Sequence, residues 1–254
     1  MCLILFALRQ HADYPLIVIA NRDEYYARAS RDAHWWDDAG IYAGRDLEAG
    51  GTWLGVDRRG RFAAVTNVRE PGSTVPARRS RGELPRDFLA SDMNAEAYLA
   101  GLVGRDQEYA GFNLLLGSAD ALWFYSNRER EIRAIDDGVY GVSNGRFDEP
   151  WPKLKSGRDE LAAQLRDGVD HRQLMEILTD HRTADDAQLP STGVSLDVER
   201  LLSSRFIRSP GYGTRACSVL SFDTRGRIEF SEQNYPDADH RGASHHEIIQ
   251  TARQ

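Results

Sequence analysis

The amino-acid sequence predicts an α+β fold in which antiparallel β-sheets are covered by helices. Three observations support this class. Roughly the first seventy residues consist mainly of short apolar runs, rich in β-branched residues and separated by turn residues, as in antiparallel hairpins. From Pro152 onward the apolar residues recur at helical spacing. No internal repeat and no linker divides the 254 residues, so sheets and helices are expected to form one domain.

The first element is an N-terminal hairpin. Apolar runs at residues 3–9 and 15–20 flank the polar segment 11–14, and Pro15 suits the start of a strand. With the turn centred near Ala12, paired residues have numbers that sum to about 24. Arg22 is therefore expected opposite Cys2, at the cross-strand spacing of about 5 Å.

The remaining elements follow from the same patterns. Further strands are predicted at residues 52–57, 61–67, 112–117, 122–125, 131–135, 139–142, 216–222 and 228–231. Helices are predicted at residues 86–90, 95–103, 152–166 and 172–179, and residues 196–207 fit either a helix or a strand. Gly60 suits a hairpin turn, Pro152 suits a first helical turn, and Asp92 or Asn94 suits a helix cap. The strands between residues 112 and 142 are expected to form a second antiparallel sheet.

Charge and cysteine content restrict the function. The chain has 32 basic and 39 acidic residues, a formal net charge of -7, which argues against duplex nucleic acid or an anionic membrane as a principal partner. Cys2 and Cys217 cannot build a disulfide framework, and Cys217 is expected to pack inside a strand. The N-terminal apolar run is too short for a membrane span and lacks the basic leader of a signal peptide. We therefore expect a cytoplasmic protein without integral membrane association.

Cys2 is the strongest candidate for a catalytic residue. If Met1 is removed, Cys2 carries both a thiol nucleophile and a free α-amine, whose pKa of about 7.7 to 8.0 allows it to accept the thiol proton. This combination is the chemistry of N-terminal-nucleophile hydrolysis. The alternative is that Cys2 is a small apolar residue at the start of a buried strand, because free cysteines are commonly buried.

The segment Asn21-Arg22-Asp23-Glu24 strengthens the catalytic interpretation of Cys2. The hairpin register brings Arg22 to the thiol, where a guanidinium favours the thiolate. Asp23 could accept a hydrogen bond from the α-ammonium and orient it. An exposed, charged turn is the alternative, and it accounts for each residue singly but not for their convergence on Cys2.

Several motifs together resemble those of the NRDE family, also called the transport and Golgi organisation protein 2 family. The resemblance rests on Met1-Cys2 with Phe6, Ala20-Asn21-Arg22-Asp23-Glu24, Gly50-Gly51-Thr52-Trp53-Leu54-Gly55, Thr66-Asn67-Val68-Arg69, Ser143-Asn144-Gly145 and Thr214-Arg215. It covers residues 1–235 and implies a four-layer αββα fold like that of N-terminal-nucleophile hydrolases, with two antiparallel sheets between helical layers. It also implies a distant similarity to choloylglycine and penicillin V hydrolases, which use an N-terminal cysteine. The family is associated with lipid and haem handling.

The resemblance suggests roles for further residues. Asn67 lies where an oxyanion-hole residue is expected, and a neutral amide donor suits that task. Asn144 lies where a second, amine-orienting or substrate-binding asparagine is expected, although both asparagines could also be turn residues. Arg215 aligns with a catalytic arginine that would tune the thiolate, although an exposed arginine at a strand end is the commoner outcome.

Substrate binding is predicted for Trp53, Asn21 and Arg69. Trp53 and the pair Trp35-Trp36 supply large apolar surfaces that suit an acyl chain, a steroid-like ring or a porphyrin, although aromatic residues in strands more often belong to the core. Residues 72–82, which include Arg78, Arg79 and Arg81, are expected to form a mobile basic loop beside a pocket.

No metal or nucleotide site is predicted. His240, His245, His246 and Glu247 lie in a polar C-terminal segment, residues 236–254, that is expected to be a poorly ordered tail. The sequence contains neither a phosphate-binding loop nor a dinucleotide-binding turn.

Two functions remain open. The first is an N-terminal-cysteine hydrolase that acts on a non-peptide amide or acyl thioester of a small hydrophobic compound, without a required cofactor. The second is a non-catalytic protein that binds or transports haem or an acyl lipid in the same pocket, with haem as a carried ligand. Neither the substrate nor the oligomeric state follows from the sequence.

Overall fold

The structure of the chain, a computed structural model, describes residues 2–72 and 77–252. Its strands are β1 (Cys2–Leu8), β2 (Leu16–Tyr25), β3 (Ser30–Trp36), β4 (Ile41–Asp46), β5 (Leu54–Asp57), β6 (Arg61–Asn67), β7 (Phe112–Ser118), β8 (Leu122–Ser126), β9 (Ile132–Ala134), β10 (Gly138–Val142), β11 (Tyr212–Phe222), β12 (Arg227–Asn234) and β13 (Ser244–Gln250). Its α-helices are α1 (Glu83–Ala90), α2 (Ala95–Leu102), α3 (Pro152–Asp167), α4 (His171–Leu178) and α5 (Leu196–Leu202).

The strands form two antiparallel sheets. One sheet has six strands in the order β10-β1-β2-β11-β12-β13, and the other has seven strands that follow each other from β3 to β9. Helices α1 and α2 pack on the seven-stranded sheet, whereas α3 and α4 pack on the six-stranded sheet. The predicted order of helix, sheet, sheet and helix is therefore confirmed.

The alternation of side chains in β1 shows how the layers are built. The even-numbered residues from Ile4 to Leu8 pack between the two sheets, and the odd-numbered residues from Leu3 to Ala7 pack toward α3 and α4. All of these side chains are buried, because β1 lies in the interior of its sheet and is covered on both faces. Cys2 belongs to the even-numbered set, so its side chain lies on the face between the sheets.

The predicted second sheet differs from the observed one. Strands β7, β8 and β9 extend the sheet of the earlier hairpins, because β6 pairs with β7 along its whole length. Strand β10 instead leaves this sheet and pairs with β1, with Ile4 opposite Val142. Pairings between segments this distant in the chain leave no local pattern in the sequence.

The C-terminal segment also differs from the expected tail. Ser244–Gln250 forms β13, which pairs with β12 over seven residues. Its burial pattern shows why the sequence suggested a tail: β13 is an edge strand, and of its large apolar residues Ile249 is buried while Ile248 is 53% exposed.

Among residues 2–72 and 77–252, no helix combines the length and the apolar composition that crossing a membrane requires.

Candidate active site

The pairing of β1 with β2 has the predicted register. Cys2 lies opposite Arg22, and Leu3 lies opposite Asn21. Strand β11 continues this row with Ala216 opposite Arg22. Because side chains alternate along a strand, Cys2 and Arg22 point to the face between the sheets, whereas Asn21 and Asp23 point toward the helices.

A cleft of about 660 Å³ opens at this end of the two sheets. Six of the predicted site residues line it, namely Cys2, Arg22, Asp23, Trp53, Asn67 and Arg215. These six residues contribute a thiol, two guanidinium groups, a carboxyl group, a side-chain amide and an indole ring, and they come from strands of both sheets and from the segment before β5. Further arginine and carboxylate residues also line the cleft.

Burial is the largest influence on the pKa of the Cys2 thiol. Only 7% of this residue is exposed, and burial raises the pKa of its thiol. The Asp23 charge also raises this pKa, whereas the charge of the N-terminal ammonium, the Arg22 charge and a hydrogen bond from the Asp23 backbone N–H lower it. The expected depression of the thiol pKa by Arg22 is thus present as a contribution, but burial outweighs it.

Asp23 lies at the boundary between the cleft and the helical layer. Its Oδ1 accepts a hydrogen bond of 2.7 Å from the Thr214 hydroxyl, whose oxygen in turn accepts a 2.9 Å hydrogen bond from the backbone N–H of Ile207. Burial raises the pKa of the Asp23 carboxyl, and the charge of the N-terminal ammonium, the charge of Lys153 and the Thr214 hydrogen bond oppose this rise. The carboxyl group is therefore held in a fixed orientation at the end of β1.

Asn67 lies across the cleft at the end of β6. Within the described part of the chain its side-chain amide has no hydrogen-bond partner, whereas its carbonyl accepts a 2.9 Å hydrogen bond from Asn144 Nδ2. The amide can therefore donate a hydrogen bond to a ligand in the cleft. Neighbouring Ser143 donates a 3.0 Å hydrogen bond to the Cys2 carbonyl, so the Ser143-Asn144 pair fixes the backbone at both Cys2 and Asn67.

Asn144 itself does not reach the cleft. It is 1% exposed and lines a second cavity of about 610 Å³. Arg69 lines the same cavity, and its Nη1 forms a 2.8 Å ion pair with Glu199. Asn144, predicted to orient the amine or bind substrate, and Arg69, predicted to bind substrate, therefore do not line the cleft that contains Cys2, because the chain turns away from this cleft after Asn67.

Asn21 is also outside the cleft. Its Nδ2 donates hydrogen bonds to the carbonyls of Leu178 at 2.9 Å and Arg205 at 2.7 Å, and the residue is 0% exposed. Its contacts tie β2 to the helical layer, in place of the predicted substrate contact.

Arg215 lines the cleft but is heavily engaged. Its Nη1 donates hydrogen bonds to the carbonyls of Tyr25, Tyr26 and Arg28 at 2.9 to 3.1 Å. Its Nη2 donates to the Ser30 hydroxyl at 3.2 Å. Arg215 therefore holds the turn between β2 and β3 while it adds positive charge to the cleft.

The predicted aromatic surfaces and basic loop divide between the cleft and the core. Trp53 lines the cleft, whereas Trp36 is buried beneath α1 and α2 and Trp35 packs at the edge of the core between the sheets. The described part of the basic loop, residues 77–82, lines the cleft with its arginines. Residues 73–76 of that loop lie outside the described residues.

Sequence reasoning missed three residues that support the site. Ser143 and Thr214 belong to the sequence motifs that contain Asn144 and Arg215. Their position next to predicted site residues could have identified them. Lys153 is 4% exposed, and the buried residues Gly157 and Leu161 follow it in α3 at successive intervals of four residues. That spacing places Lys153 on the apolar face of the helix, so its burial could have been predicted from the sequence.

The histidines of the C-terminal segment do not converge. His240, His245 and His246 contact Asp237, Asp32 and Glu229, respectively. In residues 2–72 and 77–252 no group of three or more His, Cys, Asp or Glu side chains has the geometry to hold a metal ion.

We expect iodoacetamide to alkylate Cys2 at least about tenfold faster than Cys217 in the folded protein near neutral pH. Cys217 is 0% exposed within β11, and burial raises the pKa of its thiol well above the ordinary value. Cys2 borders the cleft, and Arg22 offsets part of the effect of burial. Timed labelling with peptide mass spectrometry measures both rates, and equal rates would contradict an accessible thiol at the cleft.

Comparison with known proteins gives two kinds of similarity. A family profile described as "Transport and Golgi organisation 2" matches residues 1–237. The "Transport and Golgi organization protein 2 homolog" of Bos taurus is 35% identical over 266 residues, covering 94% of this chain and 95% of that protein. The Homo sapiens homolog is 34% identical over 262 residues, with the same coverage.

Two solved structures are similar in fold. The C2A mutant of the conjugated bile acid hydrolase from Clostridium perfringens matches with a TM-score of 0.52 and 10% identity, covering 100% of this chain and 97% of that chain. An N-acylethanolamine-hydrolyzing acid amidase ortholog from Caenorhabditis elegans matches with a TM-score of 0.50 and 9% identity, covering 86% of this chain and 92% of that chain.

Proposed function

The chain belongs to the Transport and Golgi organisation 2 family, and from its cleft we propose that it is an N-terminal-cysteine hydrolase of a non-peptide amide or acyl thioester. The observation that carries the proposal is the convergence of Cys2, Arg22, Asp23 and Asn67 on one cleft. The acyl group is that of a small hydrophobic compound, for which Trp53 supplies an apolar wall. The two solved neighbours support the fold only, and both are named for hydrolysis.

The reaction uses the two groups that Cys2 carries once Met1 is removed. The thiol attacks the substrate carbonyl, and the α-amine takes the thiol proton. The tetrahedral intermediate then collapses, the bond to the leaving amine or thiol breaks, and the α-ammonium protonates that leaving group. Water, deprotonated by the α-amine, hydrolyses the resulting acyl-thioester and restores Cys2.

The surrounding residues support these steps. Asn67 donates its amide hydrogen to the oxygen that becomes negative in the tetrahedral intermediate. Arg22 favours the thiolate, as its effect on the Cys2 pKa indicates. Asp23, oriented by Thr214, accepts a hydrogen bond from the α-ammonium.

A second candidate function is non-catalytic binding of haem or an acyl lipid in the same cleft. One observation favours it: burial raises the pKa of the Cys2 thiol in the described chain, which makes the thiol a poorer nucleophile near neutral pH. In that case Cys2 would line the pocket or bind the haem iron, and the protein would carry its ligand without converting it.

Mass spectrometry separates these functions. Intact mass shows whether Met1 is removed. If Met1 is retained, the nitrogen of Cys2 stays in a peptide bond and cannot accept the thiol proton. Native mass spectrometry with acyl anilides, acyl N-acetylcysteamine thioesters and haemin then reports what the cleft holds. An acyl group added to the Cys2 peptide supports the hydrolase, whereas stoichiometric haemin binding without any adduct favours the carrier.

A further inference from the structure

Lys153 is an anomaly in the helical layer behind the active site. The residue is 4% exposed, and its Nζ is a buried nitrogen without a hydrogen-bond partner in the described part of the chain. Buried ammonium groups are normally paired and hydrogen-bonded, since desolvation penalises an isolated charge. A structural role in α3 would be served better by an apolar residue, so the amine requires another explanation.

The packing of α3 places Lys153 behind the end of β1. A Cβ atom added to Gly157 would lie 2.5 Å from Leu5 Cδ1, so this turn of α3 packs closely on the middle of β1. A Cβ atom added to Gly145 would lie 2.8 Å from the Trp151 ring, so the start of α3 lies beside the segment that follows β10 at the Cys2 end of β1. Lys153 lies between these two contacts, one helical turn of about 5.4 Å before Gly157.

Four charged or titratable groups act on the Lys153 amine. They are Asp23 of β2, Cys2 of β1, Arg69 after β6 and Glu199 of α5. Arg69 and Glu199 form an ion pair with each other at 2.8 Å, which leaves Asp23 and Cys2 as the groups whose negative charge the amine can balance. Burial lowers the pKa of Lys153 to about 8, and the charge of Asp23 opposes this effect.

We propose that Lys153 is a positioning residue for the N-terminal cysteine, acting through Asp23 to balance the negative charge beside the Cys2 thiol. The Asp23 charge raises the pKa of the thiol, and Lys153 is a buried cation that, together with the N-terminal ammonium, opposes this charge from the face of the sheet that lies away from the Cys2 side chain. The role of Lys153 in turnover rests on the hydrolase function proposed above. Its effect on the thiol does not, because the thiol titrates whether or not a substrate is converted.

The test measures the alkylation rate of Cys2 against pH in the full-length protein. In Lys153→Met the loss of the positive charge strengthens the effect of Asp23 on the thiol and should move the midpoint of the profile up by about one pH unit, which corresponds to about tenfold slower alkylation near neutral pH. Lys153→Arg keeps the positive charge and should retain the wild-type profile. Cys217, which is 0% exposed, should label far more slowly than Cys2 in every variant, which shows that each variant is folded.

A double-mutant cycle tests the route through Asp23. In an Asp23→Asn background the effect of Lys153→Met should fall below about threefold, because no carboxylate remains to be balanced. An unchanged Cys2 profile in folded Lys153→Met protein, or an equal shift in the Asp23→Asn background, would overturn the proposal. Lys153→Gln, which is polar but uncharged, makes the same comparison if the Met variant folds poorly.

The outcomes also separate this proposal from the hydrolase function. A shifted profile in a protein that forms no acyl adduct would refute hydrolysis and retain the positioning role. An acyl adduct with identical alkylation profiles in wild type and Lys153→Met would support hydrolysis and refute the positioning role of Lys153.

Discussion

Cys2→Ala is expected to lower the hydrolysis rate by at least about 10³-fold while the affinity for substrate stays within a few-fold of wild type. The substitution removes the nucleophile but leaves the cleft walls in place, because the Cys2 side chain is small and stands at the end of β1. Hydrolysis of acyl thioesters or acyl anilides and ligand binding are measured on the same preparations. Cys2→Ser should bind equally well and turn over far more slowly than wild type.

The matched control for Cys2→Ala is Cys217→Ala. Cys217 is the only other cysteine of the chain, lies buried in β11 and does not line the cleft. This variant should keep wild-type turnover. Hydrolysis that persists in Cys2→Ala would eliminate the proposed mechanism, whereas absence of hydrolysis in wild type, with haemin affinity lost in Cys2→Ala, would support the carrier function.

Asn67→Ala is expected to lower kcat by about 10² to 10³-fold with little change in KM. The lost amide donor stabilises an oxygen that becomes negative only in the transition state, so ground-state binding should be nearly unaffected. The backbone at this position should persist, because the hydrogen bond from Asn144 reaches the Asn67 carbonyl rather than its side chain. Steady-state kinetics with one acyl thioester measures both parameters.

The control for Asn67→Ala is Asn94→Ala. The Asn94 side chain caps α2 by accepting a 2.8 Å hydrogen bond from the backbone N–H of Ala97, and the residue does not line the cleft. Its removal should cost about 1 kcal/mol of stability and leave kcat unchanged. Equal kinetic losses in the two variants would indicate that Asn67 acts through stability and not through the oxyanion.

The local part of the fold could be predicted from the sequence. The register of β1 and β2 followed from a short turn and two apolar runs, and it correctly placed Arg22 opposite Cys2. The helix that begins at Pro152 followed from its apolar period and its first-turn proline. Such features depend on residues close together in the chain, whose patterns a sequence displays directly.

Long-range placement could not be predicted in the same way. Strand β10 pairs with β1 although more than a hundred residues separate them, so the position of Asn144 behind Asn67 depended on a pairing without a local signal. The opposite orientations of Asn21 and Arg22 could have been derived, because neighbouring side chains in a strand point to opposite faces. The second cavity, which Arg69 and Asn144 line, could not be predicted, because its position depends on where the chain turns after β6.

The central position of β1 has a consequence for the maturation of the protein. Leu3 is 0% exposed and Cys2 is 7% exposed, and β1 pairs with β2 from Cys2 onward and with β10 from Ile4 onward. An aminopeptidase binds the N-terminus of its substrate in an extended form in its own active site. The first residues of β1 must therefore be unpaired while it acts. If Met1 is removed, we expect its excision to precede folding, so that the chemical state of the N-terminus is decided during synthesis. Molecules that fold before excision would form a separate population that later exposure to the peptidase cannot convert.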